Sequence, residues 1–114
     1  MRIEEAAGGR AVLSMPFAVK LAQGIGLMHG GAVTALADTA VAMAIKSILP
    51  EDTHFATIEL GLTFHAPVRG GSARAVARVV DRDDRNITGE AEVFDENNVK
   101  VATFRSIFRV KRQG

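Results

Sequence analysis

The chain has no cysteine among its 114 residues. This excludes disulfides, thiolate metal sites and a cysteine nucleophile. It also lacks an excess of either charge: 14 lysines and arginines against 13 acidic residues leave a formal net charge of +1. Nucleic acid, which usually demands a clearly basic surface, is therefore not an expected partner. The first residues include Glu4 and Glu5 and no apolar run, so no secretory signal is expected there. The longest apolar stretch, Ala32 to Ile45, is too short to span a bilayer and is interrupted by Asp38. No histidine–carboxylate grouping has metal-ligand spacing, and there is neither a Gly-x-Ser-x-Gly elbow nor a readable Ser-His-Asp arrangement. No internal repeat, low-complexity tract or linker is visible. What these absences leave is the expectation of one domain over residues 1–114, cytoplasmic, without a metal and away from membranes. An apolar content of 47% suffices for one core.

What is present is an ordered change of pattern. Gly8-Gly9 marks a turn, Arg10 to Met15 a short strand, and Pro16 to Met28 an irregular stretch broken by Gly24 and Gly26. Gly31 to Leu49 is rich in alanine, has no internal glycine or proline, and ends at Pro50, which predicts the one strong helix. Its apolar residues Val33, Leu36, Ala37, Ala40, Val41 and Ala44 are read as covering every direction, as in a helix buried on most sides. After Pro50 the pattern is strand throughout: Thr57–Ala66, Ala73–Val80, Ile87–Phe94 and Val99–Val110, separated by the turns at 67–72, 81–86 and 95–98. In the first of these, Ile58, Leu60, Leu62 and Phe64 alternate with Thr57, Glu59, Gly61 and Thr63. Short turns predict antiparallel neighbours. The expected fold is α+β: one long helix wrapped by a curved antiparallel sheet. A helix apolar on all sides needs a second sheet, which predicts a homodimer.

Chemistry is concentrated at residues 23–38. Glycines ahead of a helix let a substrate approach unpaired backbone N–H groups and the positive end of the helix dipole, where a phosphate or an oxyanion is stabilised. They serve equally as a tight entry turn. Asp38 is the single charged residue between Gly30 and Lys46. A carboxylate in a buried helix is either hydrogen-bonded within the core or turned to a reactive cleft. Asp38 lies eight positions after Gly30, about 12 Å along the helix. One carbonyl cannot touch both within one chain, whereas antiparallel helices related by a two-fold axis would bring Asp38 of one copy to Gly30 of the other.

The segment His29-Gly30-Gly31-Ala32-Val33-Thr34-Ala35-Leu36-Ala37-Asp38 resembles the His-Gly-Gly…Leu-x-Asp signature of PaaI-like hotdog-fold acyl-CoA thioesterases, relatives of the 4-hydroxybenzoyl-CoA thioesterases. Thr57-Ile58-Glu59-Leu60 with Phe64-His65-Ala66-Pro67-Val68 resembles the strand that follows the helix in that family, and Val93 to Asn97 its later hairpin. The resemblance implies hydrolysis of an acyl-CoA carrying an aromatic or medium-chain acyl group, by a dimer or tetramer. Coenzyme A would be part of the substrate rather than a cofactor. Gly30 N–H would stabilise the oxyanion, and Asp38 of the opposite subunit would act as nucleophile or general base. Gln23 would orient the carbonyl or the water, and Thr57 would hold the carboxylate or its water. His29 belongs to the motif and reads as bonding the turn before the helix, with a direct acid–base role as the alternative. His54 and His65 read as a loop residue and a solvent-facing strand residue. Arg69 and Arg85 are the candidates for the coenzyme A phosphates. A non-hydrolytic protein of the same fold, a hydratase, a dehydratase or an acyl-CoA scaffold, is the alternative function.

Overall fold

The computed structural model describes residues 1–17, 27–66 and 71–111, apart from the side chains of residues 17 and 27–29. Among them the elements run β1 (Arg2–Ala7), β2 (Arg10–Phe17), α1 (Leu27–Lys46), β3 (His54–Phe64), β4 (Gly71–Arg82), β5 (Asn86–Phe94) and β6 (Lys100–Lys111). The strands form one antiparallel sheet in the order β1-β2-β4-β5-β6-β3, and α1 packs chiefly on β2, β4 and β5. The α+β arrangement of a single helix held in a wrapped sheet is as expected.

One strand was not anticipated. All six residues of β1 are exposed, so no apolar alternation announces it. It forms because Gly8 and Gly9 both take positive φ, 59° and 84°, which a two-residue hairpin turn requires. The last three strands lie within two residues of their expected bounds at each end. The short-turn rule fails between β3 and β4, which are not neighbours: β3 pairs with β6, and β4 with β2 and β5. Three strand spacings, about 14 Å, separate them. The chain from Phe64 to Gly71 can reach over about 23 Å, so a short connection does not force a hairpin.

The helix also differs from expectation. It begins at Leu27 and ends at Lys46, so Gly30 and Gly31 stand in its first turn rather than ahead of it. Val33, Leu36, Ala37, Ala40, Val41, Ala44 and Ile45 are fully buried. Their spacing is three, one, three, one, three, one. At 3.6 residues per turn they occupy about half the circumference and do not cover every direction. The opposite side presents the exposed Gly31 and Ala35, the half-buried Thr39 and Ala42, and the exposed Lys46. Small residues on both sides disguised a one-faced helix, and the packing reason for a dimer must be sought elsewhere.

The sheet meets this face with small side chains: Ala11 of β2, Ala73, Ala75 and Ala77 of β4, and Ala91 of β5 are all buried. At Gly89 of β5 a Cβ would collide with Val41 Cγ1. Helix and sheet can touch there because position 89 has no side chain. Gly89→Ala should therefore destabilise the fold by about 1–3 kcal/mol, the usual cost of overpacking. Gly61→Ala, whose Cβ would meet nothing within 4 Å, should leave the melting temperature unchanged or slightly raised. Equal melting temperatures for the two variants would show that α1 is not seated on Gly89.

Candidate active site

Gly30, Thr34 and Asp38 are spaced by four and form one line along the flank of α1. At its start, the ideal Cβ position of Gly30 faces the Phe64 ring at 3.5 Å, an ordinary van der Waals contact. The line thus begins against the last residue of β3. Thr34 Oγ1 donates to the Gly30 carbonyl at 2.8 Å, tying the first turn to the second. The carbonyl four positions before Gly30 belongs to residue 26, outside the described residues, so the intrahelical partner of the Gly30 N–H is not among them.

Asp38 ends the line between the buried stripe and the exposed back of the helix. Its Oδ1 is buried and has no hydrogen-bond partner among the described residues. Burial pushes its carboxyl pKa upward from the ordinary value. Among the described residues nothing satisfies this oxygen, so it is not held there as a core aspartate bonded to backbone or threonine would be.

Thr57 lies on a face that the simple alternation misassigned. A bulge interrupts the pairing of β3 with β6 between Thr57 and Glu59, so that Thr57 pairs with Phe108 while Leu60 pairs with Ser106 and Leu62 with Phe104. Phe108, Ser106 and Phe104 are buried on the helix side, and paired residues project to a common face. Thr57 therefore shares the helix-facing side with Leu60, Leu62 and Phe64, where one extra residue has re-aimed it. It is exposed. The same edge strand leaves Ile58, Leu60 and Phe64 about half exposed, at 49%, 52% and 50%.

The remaining predicted residues fall apart from this line or outside view. His29 is in the first turn of α1, with its side chain outside the described residues; Gln23 and Arg69 lie outside them altogether. Arg85 is exposed in the β4–β5 turn. It lines a cleft of about 460 Å³ with His54, Phe55, Arg109 and Lys111. His54 begins β3 rather than lying in a loop. His65 is exposed as expected but lies just past the end of β3 rather than in the strand, with Nε2 2.7 Å from Thr103 Oγ1. Among the described residues no group of three or more histidines and carboxylates could hold a metal, and no helix is long and apolar enough to cross a membrane. Sequence reading had passed over Phe64 as a contact of Gly30 and Ser106 as a buried hydroxyl. The first is a long-range contact without a local signal, and the second is an ordinary strand serine until its burial is known.

A helix in the curve of a six-stranded antiparallel sheet, with a carboxylate and a first-turn glycine on one flank, is the hotdog architecture. Residues 25–102 match the family model of the thioesterase superfamily. A putative esterase of Halobacterium salinarum is 32% identical over 120 residues, covering 96% of this chain and 80% of its own. The proofreading thioesterase EntH of Klebsiella pneumoniae is 34% identical over 91 residues, 80% of this chain; the match spans 66% of EntH. The Escherichia coli PaaI protein from the phenylacetic acid degradation operon superposes with a TM-score of 0.83 at 26% identity, covering 98% of this chain and 78% of its own. The chain belongs to the thioesterase superfamily, as a hotdog thioesterase of the PaaI type, and is a thioester hydrolase.

The raised pKa of Asp38 has a consequence for stability. The unfolded chain releases this proton more readily than the folded one, so the folded state is penalised once pH exceeds the ordinary carboxylate range. The penalty vanishes as pH falls below that range. Asp38→Asn should therefore melt at the same or a higher temperature than wild type at neutral pH, with any advantage disappearing near pH 3. A clear loss of stability at neutral pH would mean that interactions of the ionised carboxylate outweigh the cost of its burial.

Proposed function

We propose that the protein hydrolyses an acyl-CoA thioester, with an aromatic or medium-chain acyl group, at a site shared by two copies of the chain. The observation that carries this reading is the unpartnered, buried Asp38 oxygen on the same helix line as Gly30. The two residues are about 12 Å apart along one helix. Only a second helix, running antiparallel, brings both to one carbonyl.

The edge strand β3 supplies the surface for that second copy. Half-exposed Ile58, Leu60 and Phe64 lie on a strand with one unpaired edge, and such an edge is a template for another strand. Two-fold antiparallel pairing of β3 with its copy would set the His54 end of one strand beside the Phe64 end of the other. The cleft rimmed by Arg85, Arg109, Lys111 and His54 would then lie near the first turn of the second copy's helix. The phosphates of coenzyme A suit such guanidinium groups, with Arg69 as a further candidate. The thioester would reach the Gly30 N–H, Gln23 would orient its carbonyl, and His29 would support the turn.

In the reaction, Asp38 removes a proton from water as water attacks the carbonyl carbon; direct attack by the carboxylate is the alternative route. Negative charge collects on the carbonyl oxygen, where backbone N–H donation from Gly30 stabilises it. The C–S bond then breaks and coenzyme A leaves as its thiolate. Thr57, on the helix-facing side of β3, would bond the carboxylate or its water. Burial favours proton uptake by Asp38, as suits a base that must cycle between charged and neutral forms.

Release of free thiol from a panel of acyl-CoA esters tests this reading. Wild type should cleave at least one aromatic or medium-chain ester, and Asp38→Asn should lose about 100-fold or more in turnover. Near-normal turnover by a folded Asp38→Asn protein would move the reactive group elsewhere.

A further inference from the structure

Two buried side-chain oxygens lack a hydrogen-bond partner among the described residues: Asp38 Oδ1 and Ser106 Oγ. The first is accounted for above; the second is not. Ser106 is 1% exposed, and an unpaired buried hydroxyl costs folding free energy that an alanine would not. Its place in the sheet is specific. On β6 it lies between buried Phe104 and Phe108 on the helix-facing side, paired with Gly89 of β5 on one hand and Leu60 of β3 on the other. Gly89 is where Val41 of α1 seats. Asp38 is one turn before Val41, on the line that starts beneath Phe64 of β3. Ser106 therefore occupies the strip of sheet between the helix seat and the open edge, on the side toward which the Asp38 flank is turned.

The electrostatic surroundings leave few alternatives for the carboxylate. Among the described residues, those paired in the row of Ser106 (Val79, Gly89 and Leu60) are uncharged, and the charged residue on the helix-facing side is Arg82, exposed at the end of β4 and paired with Ile87 in the next row. Arg78, Glu90 and Arg105 pair across the opposite face, as does Glu59 with Ile107. On α1 itself the nearest charge is Lys46, two turns on. The donors that this wall offers to the Asp38 flank are thus hydroxyls, Thr57 on the exposed edge strand and Ser106 in the buried strip.

Resting on the reading that Asp38 is the reactive carboxylate, we propose that Ser106 is its positioning residue: the two oxygens are not hydrogen-bonded to each other, and the Ser106 hydroxyl donates to the Asp38 carboxylate from the sheet side through one bridging water. The hydrogen bond favours the ionised form and fixes the orientation of the carboxylate toward the attacking water. This explains why a costly hydroxyl sits in an otherwise alanine- and phenylalanine-lined wall.

The test compares Ser106→Ala with Asp38→Asn in the full-length oligomer. For Ser106→Ala we expect kcat to fall about tenfold or more, the scale of a hydrogen bond to a charged group, with KM little changed. The acid limb of the kcat–pH profile and the Asp38 carboxyl titration followed by carbon NMR should both move up by about one pH unit. The melting temperature should stay the same or rise. Wild-type pH limb and titration in Ser106→Ala would overturn the proposal, and a lowered melting temperature with the wild-type limb would show a structural hydroxyl instead. If Asp38→Asn keeps its activity, the reading of Asp38 itself fails and the proposal falls with it; if Asp38→Asn is dead and Ser106→Ala behaves as wild type, the proposal alone fails.

Discussion

The seating of α1 on the sheet is the contact on which the rest depends. Val41 reaches the backbone of β5 because position 89 is glycine, and alanines at 11, 73, 75, 77 and 91 keep the neighbouring wall low. A close approach of this kind buries seven helix residues completely and fixes both the rotation and the height of the helix. Rotation decides everything polar. With Val41 turned into the sheet, the line of Gly30, Thr34 and Asp38 falls on the flank toward β3, neither in the core nor on the exposed back. A larger residue at 89 would lift the helix and turn this flank, moving the proposed site through a purely apolar change.

Polarity on this flank is sparse. No ion pair or hydrogen bond to Asp38 Oδ1 is formed among the described residues, so desolvation by burial raises its pKa. In the core of a protein without a function such a group is a defect. Here it is joined by a second unpartnered oxygen on Ser106, by a threonine re-aimed through a bulge, and by a first-turn glycine beneath an aromatic ring. The concentration of unmet polar needs beside an open strand edge is what a site completed by substrate and a second copy requires.

Much of this was legible in the residues. The alanine-rich run ending at Pro50, and the last strands with their turns, follow from local composition, and Asp38 is conspicuous as the lone charge of its helix. The first strand was not legible, since all its residues face solvent and only the paired glycines place it. Neither was the helix rotation: when alanine and glycine stand on both sides, hydropathy cannot tell the buried face from the open one. The 3,1,3,1 spacing of Val33 to Ile45 holds that information, but the small residues between them give the helix the look of all-round apolar coverage. The side Thr57 faces could not be read from alternation, because one bulged residue reverses it. Sheet order was hidden for a different reason: the link from β3 to β4 is short, yet long enough to pass over two strands.

The claim that one carbonyl is served by Gly30 of one copy and Asp38 of another can be tested by subunit mixing. Asp38→Ala and Gly30→Pro chains, each inactive alone, are unfolded, combined in equal amounts and refolded. Random pairing makes half the dimers mixed, and two-fold symmetry gives each mixed dimer one intact site and one doubly defective site. Thiol release should return to about one quarter of the wild-type rate. No recovery, with mixed dimers demonstrated by native mass spectrometry, would show that each site is built within a single chain.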